Sequence, residues 1–298
     1  MFIERMGKIW PAVLLSAALV SCSKTRTPGP EGNPPAQDDR KVNIAAVVSA
    51  NDPLAKSPVL DTDGSGSFSN GDVIGLLVSG KDGESESLRY EIGGEDLLWK
   101  DIDVTPSGGN VDFAAVYPPQ DAADGKFTFD LSGLSSDEEK DLLLAGAAGI
   151  PAGSEESIDL VFRHAMHRLV VRYTAEDGID ADAVQTSCSA AASCTVDMLT
   201  QTTVADYGSM SGFEKDGKEV SFILVPQKSS SVTLKVTSDG VVKTFVLGEL
   251  SGASVPSDLE GGKQLTVELR VSQGKIELGN VSISGWESQG TIGGEIIM

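Results

Sequence analysis

The chain has 298 residues and carries 44 acidic against 23 basic side chains, a net charge of −21, which excludes a nucleic-acid partner because such a surface repels a polyanion. The acids are dispersed, as expected of a chain kept soluble outside the cell, and the length allows two domains of ordinary size behind an N-terminal extension. Apart from one short N-terminal stretch there is no run of 18 apolar residues, so no transmembrane helix is expected.

Residues 1–21 read as a signal peptide: Arg5 and Lys8, then the apolar "IWPAVLLSAALV", then small residues leading to Cys22. The arrangement resembles a bacterial lipoprotein signal, which makes Cys22 the lipidated residue and the new N-terminus, with palmitate among its acyl chains and the outer membrane as its partner. Residues 22–41 are rich in Pro and Gly and nearly free of apolar side chains, so they form a disordered tether.

The first segment beyond the strand "VNIAAVVS" is "DTDGSGSFSNGD", residues 61–72, whose Asp61, Asp63, Ser65, Ser67, Ser69 and Asp72 stand at the ligand offsets of an EF-hand calcium loop. Its flanks are not helical. Pro53 and Pro58 precede it, each costing a helix interior roughly 3 kcal/mol, and the β-rich "VIGLLVSG" comes after it. A polar turn into a strand therefore competes with calcium binding, and no metal or other cofactor is expected.

From there the pattern is β throughout: "SLRYEI", "VDFAAVYP", "KFTFDL", "SIDLVFRHAMHRLVVRYTA", "SCTVDML", "VSFILVPQ", "SVTLKVTS", "VVKTFVLG", "QLTVELRV" and "KIELGNVSIS", with Gly, Pro, Asp and Ser between them. Many short strands at such spacing indicate sandwiches. One segment, "SSDEEKDLLLAGA", reads as a helix with Ser135 or Ser136 as N-cap and acids in its first turn. The loop "AAGIPAGSEES" behind it marks the expected boundary between an N-terminal domain, 42–155, and a C-terminal domain, 156–298.

In "DLVFRHAMHRLVVRY" the alternation fails near the centre, which calls for a bulge or a change of partner. His164 and His167 fall on opposite faces of a regular strand, and His164 is expected to be half-buried and hydrogen-bonded. Cys188 and Cys194, in "CSAAASC", are either a local disulfide or two free, buried thiols.

Six pieces in order, "FSNGDVIGLLV", "VDFAAVYPP", "DLLLA", "LVFRHAMHRLVV", "ILVPQ" and "VSISGWESQGTIGGEI", resemble the fimbrillin family, the lipoprotein subunits of type V pili. The resemblance implies an all-β chain of two tandem transthyretin-like or Ig-like antiparallel β-sandwich domains, displayed at the cell surface. It further implies assembly by β-strand exchange with other fimbrial subunits after a protease cuts behind an arginine near the N-terminus and releases a first strand. Arg26 and Arg40 are the candidate cut sites. Val42 and Ile44 at the start, and Ile296 and Ile297 in the terminal "GTIGGEIIM", are the candidates for the exchanging strands.

No HExxH, GxSxG or glycine-rich phosphate loop occurs, and no local pair of acids is singled out, so the chain is not read as an enzyme. The alternative to a fimbrial or adhesive subunit, which would bind host or bacterial surface ligands, is an outer-membrane lipoprotein that binds glycan without polymerising. Aromatics at 5% argue against that, and Trp286 reads as a packing residue.

Overall fold

The computed structural model describes residues 39–49, 59–60, 66–176, 178–250 and 255–285. Its first half comprises β1 (Asn43–Val48), β2 (Val59–Leu60), β3 (Gly66–Ser67), β4 (Val73–Ser79), β5 (Ser85–Glu91), β6 (Asn110–Tyr117) and β7 (Lys126–Asp130). After one helical turn, α1 (Asp137–Lys140), come β8 (Leu143–Pro151) and β9 (Ser157–His164). The second half comprises β10 (His167–Ala175), β11 (Gln185–Asp197), β12 (Thr202–Asp216), β13 (Glu219–Leu224) and β14 (Gln227–Lys228). It ends with β15 (Thr233–Ser238), β16 (Val241–Val246), β17 (Asp258–Leu259), β18 (Lys263–Ser272) and β19 (Lys275–Gly285).

The first sheet runs in the order β2-β3-β1-β9-β8-β6-β4-β5. Strands β8 and β9 pair only at Leu143 with His164 and Leu144 with Arg163, so the sheet turns a corner there and its two halves enclose one core. Ile74, Leu76, Val111 and Phe113 meet Val48, Ile158, Leu160 and Phe162 across it. In β9 the buried and exposed residues alternate strictly, the signature of a strand with one face in the core. The second sandwich sets β13-β10-β18-β19 against β12-β11-β15-β16, closing Leu169, Val171, Phe222, Leu265 and Val267 over Cys188, Leu234 and Val236.

A third core lies between the sandwiches and explains why two segments are apolar on both faces. Ile74, Leu76 and Val78 of β4 point into the first core while Leu77 points away; in β6, Val111, Phe113 and Ala115 point in while Ala114 and Val116 point away. The outward set packs on Phe127, Phe129, Ala191, Cys194, Val196, Ile223 and Val225. Strand β7 itself pairs with β11, so a strand from the first half completes a sheet of the second. Strands covered on both faces read as continuous apolar runs.

Several expectations change here. The helix is a single turn: Ser136 caps it, accepting from the Glu139 N–H at 3.1 Å, but Leu143 and Leu144 leave it to pair with Tyr117 and Val116 in β8. The long segment around His164 is two strands in different sheets, parted at Ala165–Met166, so the break in alternation is a change of partner. The sheets thus change after His164, and residues 155–156 lie in the connection between β8 and β9, both in the first sheet. Pairing is not purely antiparallel, since β1 runs parallel to β9 and β10 to β18. Each early strand meets a much later one, and the intervening sandwich serves as the long crossover that a parallel pair needs. Strand β12 is an addition to the expected set: it lies at the edge of its sheet, where Ala205 and Phe213 pack on the cores but polar residues alternate with them and Val204 is 67% exposed, so no regular apolar alternation marks it. Among the described residues no helix is long and apolar enough to cross a membrane.

Candidate functional site

The N-terminal strand β1 lies where the N-terminal candidates for strand exchange fall, Ile44 inside it and Val42 just ahead of it. It pairs with β9 along all of its length, from Asn43 opposite Ser157 to Val48 opposite Phe162. On its other edge it pairs with β3 only at Val47 and Val48. Val42 and Val48 are buried in the first core and Ile44 and Ala46 pack against it, while Ala45 and Val47 face outward. Phe68 closes the end of the site, its ring 4.8 Å from that of Phe162 and 5.3 Å from that of Tyr117.

Ahead of β1 the chain is held by residues 95–101. The Val42 N–H donates to the carbonyl of Leu97 at 2.8 Å, and the Trp99 N–H donates to the carbonyl of Arg40 at 2.9 Å, around a bridge between Lys41 and Leu98. Two ion pairs flank this bridge, Lys41 with Asp96 at 2.6 Å and Lys100 with Asp39 at 2.7 Å, and each raises the pKa of its lysine. Trp99 anchors the clasp. Its indole N–H donates to the carbonyl of Ser154 at 2.9 Å, and its ring stands edge-on to Phe113 at 6.1 Å. A short turn, Trp99–Asp101, is capped by the Asp101 carboxylate, which accepts from the Leu98 N–H at 3.1 Å. Exposed ion pairs add little to such a seat. Burial of a valine such as Val42 contributes about 1.5–3 kcal/mol, so the apolar contacts dominate.

The candidate residues are thereby sorted. Val42 lies just ahead of β1 and Ile44 inside it; Arg40 is exposed but its carbonyl is inside the clasp. Cys22, Arg26, Trp286, Ile296 and Ile297 lie outside the described residues, as do Asp61, Asp63 and Ser65 of the loop with calcium spacing. The described part of that loop is a turn: the Asp72 carboxylate accepts from the Ser69 N–H at 2.7 Å, and Gly71 holds a φ of 95° that only glycine adopts at ease. Nothing in the sequence signalled that Leu97–Trp99 would pair with Arg40–Val42, because the partners meet only once the sandwich closes.

A bridge between Cys188 and Cys194 is corrected. Both are free, fully buried and on the same strand, β11, Cys188 in the second core and Cys194 in the core between the sandwiches. Six residues of strand separate them by about 20 Å, and a disulfide needs Cα atoms within about 7 Å. Burial pushes each thiol up to about 12.

His164 is buried, with its Nδ1 2.7 Å from the Asp141 carboxylate. His167 points to the other side and its Nδ1–H donates to the Glu260 carbonyl at 2.9 Å; burial drives its pKa down to about 4. Among the described residues no three His, Cys, Asp or Glu side chains are grouped to hold a metal ion.

No curated protein matches the sequence. The fold is similar to that of a candidate cell adhesion protein from Bacteroides uniformis, with TM-score 0.60 and 17% identity over 83% of this chain and 98% of that one. A second, from Bacteroides ovatus, gives 0.59 and 18% over 84% and 99%. The tip fimbrial protein Mfa3 of Porphyromonas gingivalis gives 0.51 and 10% over 83% and 100%. Residues 61–286 match the fimbrillin-like family model, and the chain belongs to the fimbrillin-like family.

Proposed function

We propose that this chain is a non-enzymatic fimbrial subunit, anchored to the outer membrane through a lipid on Cys22 and joined to neighbouring subunits at the cell surface by β-strand exchange. The observation that carries the reading is β1: a strand near the N-terminus, laddered to β9 along its length but to β3 over two residues, with alternate side chains seated in the core. Such a strand can leave with only the short β2-β3 pair losing its partner, the ladder β8-β6-β4-β5 staying whole, and its place can be taken by an extended segment making the same backbone hydrogen bonds. The terminal segment containing Ile296 and Ile297 is the candidate donor: in an extended strand one of these adjacent isoleucines faces the core, as Ile44 does, and the other faces outward.

The test is native electrophoresis and intact mass of the soluble body, before and after limited trypsin, with and without residues 290–298. Non-covalent ladders that form once trypsin has cut behind Lys56, beyond β1, and disappear with the tail deletion are expected. A monomer under every condition, with the cut behind Lys56 verified by mass, refutes assembly by strand exchange.

A further inference from the structure

Chain order sets a condition on which cuts can open the β1 groove. Both candidate arginines, Arg26 and Arg40, precede β1, and the next arginine after Arg40 is Arg89, inside β5. A cut behind either candidate therefore removes the tether and leaves β1 covalently joined to the body through residues 49–65. To release β1, a cut must fall after Val48.

The clasp sharpens this. A cut between Arg40 and Lys41 severs the links made by Asp39 and Arg40, namely the ion pair to Lys100 and the hydrogen bond from Trp99. It spares the links made by the body's own new end: the Lys41 ion pair to Asp96, the Val42 hydrogen bond to Leu97 and the burial of the Val42 side chain. The ladder to β9 and the hydrogen bond from the Asn43 side chain to the Glu155 carbonyl at 2.8 Å are untouched as well. A neighbour's strand arriving from solution then competes with a resident strand tethered a short distance away, whose effective concentration is on the order of millimolar.

We infer that arginine-directed processing of this subunit leaves its groove filled by its own β1, so that it closes an assembly at that end, accepting no strand there. This rests on the strand-exchange reading and assigns the chain a terminal position: it joins a neighbour through its other end only.

The experiment compares the full-length chain, purified in detergent, with its Lys56→Arg variant. Lys56 is the one basic residue between Lys41 and Lys81, so the substitution moves an arginine to the far side of β1. Both are treated with an arginine-specific protease, the cuts are read by intact mass, and oligomers and hydrogen exchange at Ile158–Phe162 are followed. The wild-type chain is expected to lose its tether, stay monomeric and keep its exchange rates within twofold; the variant cut at residue 56 is expected to form oligomers and to exchange at least tenfold faster at Ile158–Phe162 before they form. A Val42→Asp chain, whose carboxylate expels the clasped segment without any cut at 56, is expected to show the same acceleration. Oligomers or accelerated exchange in wild type cut only behind Arg26 or Arg40 overturn the terminal assignment and leave strand exchange standing. Monomers throughout, with the cut at 56 verified by mass, overturn both.

Discussion

The backbone N–H of Trp99 donates to the carbonyl of Arg40 at 2.9 Å, so the peptide bond behind Arg40 is part of a bridge between the chain's N-terminal arm and residues 95–101. A protease must draw several residues into an extended conformation in its own cleft, and that bridge has to open first. Cleavage behind Arg40 should therefore report the opening of the clasp.

Trp99→Ala removes the indole hydrogen bond to Ser154 and the contact with Phe113, and should cost about 3–5 kcal/mol in urea unfolding. At native urea concentrations the same variant should be cut behind Arg40 at least tenfold faster than wild type. Lys41→Ala, which removes only an exposed ion pair, should barely move the unfolding midpoint. If Lys41→Ala matches Trp99→Ala in both measurements, charge and not apolar packing holds the arm.

Gln227 acts as a substitute strand residue for Ala191. The Ala191 N–H donates to Gln227 Oε1 at 2.9 Å, in the gap where β11 has left β15 and not yet met β7. The Gln227 amide in turn donates to the Val225 carbonyl at 3.0 Å, and the side chain is 4% exposed. Gln227→Leu preserves volume but strands these buried groups, so it should destabilise the chain by about 2–5 kcal/mol in chemical denaturation. A loss under about 1 kcal/mol would mean that water replaces the amide.

The two β11 thiols should be chemically silent in the folded chain. With a pKa of about 12, about one thiol in ten thousand is ionised at pH 8, and burial blocks access as well. In a Cys22→Ser chain, both should fail to react with a thiol reagent under native conditions and both should react in guanidinium. Reductant should leave the thermal midpoint unchanged; a fall on reduction would reinstate a disulfide.

His167 should make the fold acid-sensitive. Its pKa is about 4 in the folded chain against 6.5 when exposed, so between those values the unfolded state binds a proton that the folded state refuses. Its full contribution is present above pH 6.5 and is lost as pH falls toward 4, a change of about 3 kcal/mol at most. His167→Asn keeps a donor for the Glu260 carbonyl without the titration, so its stability should fall less steeply from pH 7 to 4.5. Parallel pH profiles for the two chains would rule His167 out.

Much of the fold is legible because it is written in local chemistry. The alternation of Ile158, Leu160 and Phe162 announces a strand with one face in a core, and its failure at Ala165–Met166 leaves a bulge or a change of partner, of which the structure has the second. The capping box of Ser136 and Glu139 is also local, and it forms. The leucines beyond that cap are ambiguous, since Leu143 and Leu144 suit a helix as well as a strand; pairing with Tyr117 and Val116 decides for the strand, and those partners are distant in sequence. Strand β12 is hidden for the converse reason, its outward positions carrying Thr202, Asp206, Gly208 and Glu214 with no periodic apolar signal.

By itself the sequence determined the β class, the apolar faces of the strands, the turn before β4 and the order of Arg40 ahead of "VNIAAVVS", since each depends on neighbouring residues alone. The tertiary structure decided that Cys188 and Cys194 lie in separate cores, that β4 and β6 are covered on both faces, and that Trp99 holds the arm carrying Arg40. Those outcomes depend on which surfaces meet when two sandwiches close on a shared core, and a meeting of residues far apart in the chain leaves no period or spacing to read.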